Sequence, residues 1–244
     1  GELVPRFDFH VAFEWGHRLV AGSVSLLFTG LAVAVLRSPD LRAVAGRPLA
    51  VAALLLAVQV VLGGLTVLHL LASWTVTAHL VTGNAFALAL LCTGLALRDH
   101  ARGLGPEPAF VSKGVRALVT SAAALLAVQL VLGGLVSSRY AGLACPDWPA
   151  CEAGVWFPSF EGAVGLQILH RMNGYVLAAA LAATALAARA IPGLARPAFA
   201  AAGLVGLQIA AGVANVLLGV PVEITALHSA LAAGLVLTVT CCVR

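Results

Sequence analysis

Long apolar stretches separated by short polar clusters dominate the chain, near residues 12–36, 48–71, 75–97, 112–136, 164–188, 197–219 and 222–243. About 20 residues of helix cross the roughly 30 Å of bilayer hydrocarbon. The runs are too long, and too rich in Leu, Ala and Val, to be barrel strands, and in lipid their backbone groups are satisfied only by helix formation. The pattern therefore predicts an all-α integral membrane protein with seven transmembrane helices. Composition agrees, with 61% hydrophobic and 10% charged residues and a mean hydropathy of +1.02. A soluble domain carries about 45–50% apolar and about 25% charged residues, so cytosolic enzymes, nucleic-acid-binding proteins and disordered chains are excluded.

The net charge of +4 matters less than where the 14 basic residues fall. Arg37, Arg42 and Arg47 follow the first run, Arg98, Arg102, Lys113 and Arg116 the third, and Arg189 and Arg196 the fifth, with Arg244 at the end. Arg6, Arg18, Arg139 and Arg171 belong to the opposite side. The positive-inside rule makes the first set cytoplasmic, so residue 1 and the second, fourth and sixth connections face outward. The start has no basic-then-apolar signal pattern; an odd number of spans with an outward start is unusual.

An internal duplication accounts for it. A shift of 153 lays Gly154 on Gly1, Pro158 on Pro5, Phe160 on Phe7 and His170-Arg171 on His17-Arg18. The fifth to seventh runs thus repeat the first to third: a helix opening with His-Arg, one with a Gln (Gln59, Gln208), and one with an early His (His79, His228). Residues 127–135 of the fourth run nearly copy 57–65 of the second, yet the fourth has no partner in the first half. The expectation is an eight-helix parent made of two pseudo-symmetric four-helix bundles, seven helices being present. Residues 1–105 would form the first half and 106–244 the second.

His17, His79, His170 and His228 all fall roughly 6–11 Å below one interface at 1.5 Å per residue. Within each half the two histidine helices run the same way, so two imidazoles can meet across a bundle at equal height, as the axial ligands of a haem iron do. Ionisable groups inside a membrane are costly and mark function. Zinc would need a third and fourth donor, and no cysteine accompanies either pair at that depth. His10, His69 and His100 lie near helix ends and read as surface or propionate-contact residues. Arg18 and Arg171 point about 100° from their histidines and can snorkel to the interface, where a guanidinium suits a haem propionate or a lipid phosphate. Glu14, three residues before His17, shares its face, and its counterpart is the neutral Gln167. A carboxylate can take a proton or stabilise a developing cation, which marks the first half as the reaction site. Cys145 and Cys151 flank Pro-Asp-Trp-Pro-Ala on the outward side, where disulfides persist, so a disulfide is expected there, a candidate for redox work. Cys92, Cys241 and Cys242 read as small apolar residues.

Taken together, Glu14-Trp-Gly-His17-Arg18, His170-Arg171, His79, His228, the Gly-Gly-Leu helices and Cys145-Pro-Asp-Trp-Pro-Ala-Cys151 resemble the haem A synthase family along the whole chain. The resemblance implies eight helices in two four-helix domains, and oxidation of the C8 methyl of haem O to the formyl of haem A by successive hydroxylations. It implies that His170 and His228 bind a haem b cofactor, that His17 and His79 bind the substrate haem, and that Glu14 is the catalytic carboxylate. The family often has another Glu three residues earlier, where this chain has Val11. Expected partners are membrane lipids, a haem O synthase, cytochrome oxidase assembly factors and an electron acceptor; nucleic acid is not among them. The expected location is the bacterial cell membrane, with the histidines and the cysteine loop outward. Rival readings are a non-enzymatic di-haem b-type electron carrier and a seven-helix transporter or receptor.

Overall fold

The computed structural model describes residues 9–104 and 111–243. Seven helices follow in order: α1 (Phe9–Arg37), α2 (Pro39–Leu68), α3 (Ser73–Ala101), α4 (Lys113–Ser138), α5 (Gly162–Ala188), α6 (Ala195–Leu217) and α7 (Val222–Val243). Among the described residues there is no strand ladder, only an isolated bridge between Glu152 and Val155. Gly1, Pro5 and Phe7 of the duplication, Arg6 and Arg244 of the charge distribution, and residues 105 and 106 at the expected division between halves lie outside the described residues.

Two helix starts follow local chemistry. The Ser38 hydroxyl accepts from the Leu41 amide (3.4 Å), and Pro39 sits in the first turn, where its missing N–H costs nothing. This begins α2 nine residues ahead of the apolar run, so Arg42 and Arg47, expected in a connection, are helical. Apolar periodicity could not show that extension because a capped polar turn carries no apolar signal. Ser112 caps α4 in the same way, accepting from Val115.

The ends of α2, α4 and α6 are built alike. His69, Arg139 and Leu218 donate to Leu65, Leu135 and Ala214, and two residues later Leu71, Ala141 and Val220 donate back to Thr66, Val136 and Asn215. Such reversal needs left-handed backbone, taken up here at the residue between the two donors, Leu70, Tyr140 and Gly219, with φ of 48°, 54° and 73°. Three copies of one terminus carry the internal repeat into the backbone.

Helices α4 to α7 close a ring, each packed against its neighbours and α7 against α4. Their core contains Leu126, Leu177, Leu181, Val205 and Leu235. Helix α2 packs on α1 and α3, with Phe28, Val35, Leu49 and Phe86 between them, and the Phe28 and Phe86 rings meet edge-on at 5.8 Å. Helix α3 joins the groups through α4 and α7. In each group the histidine helices, α1 with α3 and α5 with α7, stand diagonal to one another, held apart by the helix between them.

Among the described residues six helices are long and apolar enough to cross a membrane. The seventh, α5, has the length at 27 residues, but Gln167, His170, Arg171 and Asn173 interrupt its apolar run. Outward-facing side chains such as Leu26, Leu27, Leu54 and Val60 are more than 60% exposed to the surroundings, a surface suited to lipid tails rather than water. The chain is a multi-pass membrane protein.

Candidate haem-binding centre

The four histidines return at matched depth. His17 and His170 are the ninth residues of α1 and α5, and His79 and His228 the seventh of α3 and α7. The His17 and His79 rings meet edge-on, with centroids 6.3 Å apart and planes at 73°. Two imidazoles bonded to one metal at about 2 Å each would have centroids roughly 6 Å apart. His170 and His228 stand on the diagonal helices α5 and α7 of the second ring.

Each of three histidines lies over a glycine of the preceding helix. A Cβ built on Gly63, Gly133 or Gly212 would stand 3.4, 3.2 and 3.2 Å from Cε1 of His79, His170 and His228 respectively. A Cβ would crowd the His170 and His228 rings and just touch that of His79, so glycine lets the imidazole edge rest on the backbone. One turn deeper, Gln59 donates to the His79 carbonyl (2.9 Å) and Gln129 to the His170 carbonyl (3.2 Å), while His228 lies against the Gln208 main chain. Asn173 donates to the Leu125 carbonyl (3.0 Å) and to Gln129 Oε1 (2.7 Å), locking that pair further. The glycines and Gln129 were missed as site residues. Their signal was in the sequence as Gln-x-x-x-Gly, repeated at 59–63, 129–133 and 208–212.

Donor chemistry fits an iron porphyrin. Among the described residues no three His, Cys, Asp or Glu gather as a metal site, so the donor sets are imidazole pairs, and a porphyrin brings its remaining ligands with it. The Nδ1 atoms of His79 and His228 are buried without partners.

The polar residues beside the histidines are committed differently in the two halves. Arg18 donates to Glu14 across one turn at 2.6 Å, both side chains being largely exposed. Arg171 instead turns away from the bundle and donates to the carbonyls of Cys145 (2.6 Å), Asp147 (3.0 Å) and Ala150 (3.1 Å). Gln167, one turn before it, donates to the Gly142 carbonyl, and Tyr175, one turn after, accepts from the Trp148 indole. This stripe of α5 clamps the loop that α4 delivers. Cys145 and Cys151 are joined by a disulfide, buried against Ile168 and bordered by Val164 and Met172. The Asp147 carboxylate accepts from the Ala153 amide and closes the loop's far side.

A bundle spanning the membrane, with paired histidines on diagonal helices at one end and a disulfide-braced loop over that end, defines a class of polytopic membrane proteins equipped to hold haem. The sequence profile of the COX15-CtaA family of cytochrome oxidase assembly proteins matches residues 4–240, and the chain belongs to that family. Its relatives include the heme A synthase of Rhizorhabdus wittichii, 30% identical over 90% of this chain and 67% of the relative. The heme A synthase of Shewanella oneidensis is 31% identical over 97% of this chain and 77% of its own length, and that of Halalkalibacterium halodurans 26% identical over 72% and 59%.

Proposed function

We propose that this chain oxidises the C8 methyl group of haem O to the formyl group of haem A, through successive hydroxylations, for the maturation of cytochrome oxidase. The observation that carries the reading is the His17–His79 pair at 6.3 Å with Glu14 one turn away, supported by the heme A synthase relatives. His17 and His79 hold the substrate haem by its iron, and His170 and His228 hold haem b. Haem b supplies one-electron transfer when bound. Turning methyl into formyl with water as the source of oxygen releases four electrons and four protons, two of the protons from the methyl and two from the water, so the reaction requires an electron acceptor and a group to receive protons.

Glu14 is the group suited to receive them. Its carboxylate stands on the His17 face of α1, where it takes the proton released as oxygen is added and offsets positive charge developing at the methyl carbon. Arg18 fixes its position, and the guanidinium retains further donors for a propionate. Gln167 offers no carboxylate in the second half and holds the loop instead, which suits that half to electron handling. Arg171 anchors the disulfide loop over the second pair. The division into a substrate half (1–105) and a haem b half (106–244) follows from this assignment. The charge distribution sets the histidine end outward in a bacterial cell membrane. A haem O synthase would supply the substrate, and assembly factors of cytochrome oxidase would take the product.

Pigment extraction tests the reading. The purified chain is expected to yield haem O or its oxidised derivatives beside haem b. Haem b alone would make it a di-haem carrier, and the absence of any Soret band would leave a transporter or receptor.

A further inference from the structure

Among the described residues five buried side-chain nitrogen or oxygen atoms lack a hydrogen-bond partner, and four of them are Gln59 Oε1, His79 Nδ1, Gln208 Oε1 and His228 Nδ1. Native proteins leave few such atoms, because a buried polar group has given up its water and gained nothing in return. Here they fall as two complementary sets, a carboxamide oxygen and an imidazole nitrogen, on the same two helix pairs: α2 with α3, and α6 with α7. We propose that Gln59 is a positioning residue whose Oε1 accepts the Nδ1–H of His79, so that the ring presents an unprotonated Nε2 as its ligand atom. The inference rests on the haem-binding reading.

The third copy of the arrangement shows that a carboxamide at this position reaches the ring. Gln129 Nε2 lies 3.2 Å from His170 Nδ1 as well as 3.2 Å from the His170 carbonyl. The glycine four residues on, Gly133, sets the His170 edge at the same height as Gly63 and Gly212 set the other two. The terminal amide torsion is soft, so a carboxamide held at this height can turn either its nitrogen or its oxygen to the ring. Gln129 differs because Asn173 holds its oxygen at 2.7 Å; the equivalent places three residues after His79 and His228 are Thr82 and Leu231, neither of which hydrogen-bonds the glutamine. The Gln59 oxygen is therefore left for the His79 ring, whereas the His228 ring rests against the Gln208 main chain.

The chemistry explains the need. A neutral imidazole carries one N–H, and a metal on Nε2 requires that proton on Nδ1, where an acceptor fixes the tautomer and the ring plane and makes the ring a stronger donor. In a membrane interior no water replaces a missing acceptor.

Gln59→Leu and Gln59→Glu test the proposal in the full chain, purified in detergent and titrated with haemin, with absorbance read for affinity and for the midpoint potential of the bound haem. Leu fills the space without an acceptor and is expected to weaken haemin binding about 10- to 100-fold and to raise the midpoint of whatever remains bound. Glu keeps an acceptor oxygen and is expected to retain wild-type affinity. A side chain needed only for packing would give the reverse order, Leu binding normally and Glu failing, and that result overturns the proposal, as does equal loss in both variants. If wild type binds haemin and both variants match it, this inference alone falls; if wild type binds none, the haem-binding reading falls with it.

Discussion

Glu14 and Gln167 occupy equivalent places in the duplicated sequence, one turn before a histidine, and do different work. Glu14 is tied to Arg18 on an exposed face, whereas Gln167 is buried and holds the Gly142 carbonyl. Glu14→Ala is expected to lower haem A formation about 100-fold or more with the haem content of the purified protein unchanged; full product formation would remove Glu14 from the chemistry. Arg171→Leu should release the loop. Three carbonyls lose a charged donor, each such bond contributing about 1.5–3 kcal/mol before compensation, so thermal unfolding in detergent should begin markedly lower. Arg171→Lys should restore little, since one ammonium cannot fork to three carbonyls. Sequence placed Arg171 beside a haem propionate or a lipid phosphate; the carbonyls it meets come from a loop more than twenty residues away, a partnership that no local spacing encodes.

Helices meet through residues chosen for smallness. A Cβ on Gly134 would lie 2.9 Å from Thr77 Cγ2 and 3.3 Å from Thr77 Cα, where α3 and α4 approach and Thr77 bonds Ser138 at 3.2 Å. Gly134→Val must therefore push the two helices apart, at a cost of about 1–3 kcal/mol for overpacking. A Thr77→Cys/Ser138→Cys pair should oxidise to a crosslink in an otherwise wild-type chain and fail to do so when Gly134→Val is added; crosslinking in both would show that the contact tolerates bulk. At this scale the apolar pattern located every helix and misjudged ends, because ends are set by caps such as Ser38 and by turns such as Leu70–Leu71 that add nothing to hydropathy.

Across the whole molecule, the basic residues at the ends of α1, α3 and α5 stand opposite the histidines and the disulfide loop. With Cys92, Cys241 and Cys242 replaced, a cysteine at Ser159 in the loop should react with a membrane-impermeant maleimide added to intact cells. One at Ser112 should react only after permeabilisation, and the opposite result would invert the proposed orientation. The disulfide itself is nearly inaccessible, Cys145 and Cys151 being 0% and 2% exposed, so thiol exchange with it requires the loop to open first.

Sequence by itself determined that this chain lives in lipid, where its spans lie, and that four histidines fall at one depth in a duplicated plan, because hydropathy, charge and periodicity are properties of residues in order. Tertiary structure decided which polar groups meet. It paired Arg18 with Glu14 but spent Arg171 on a loop, set imidazoles on three glycines, and placed glutamines one turn below them. Those partnerships cross between helices, and distance across a bundle is fixed by packing, which no single segment contains.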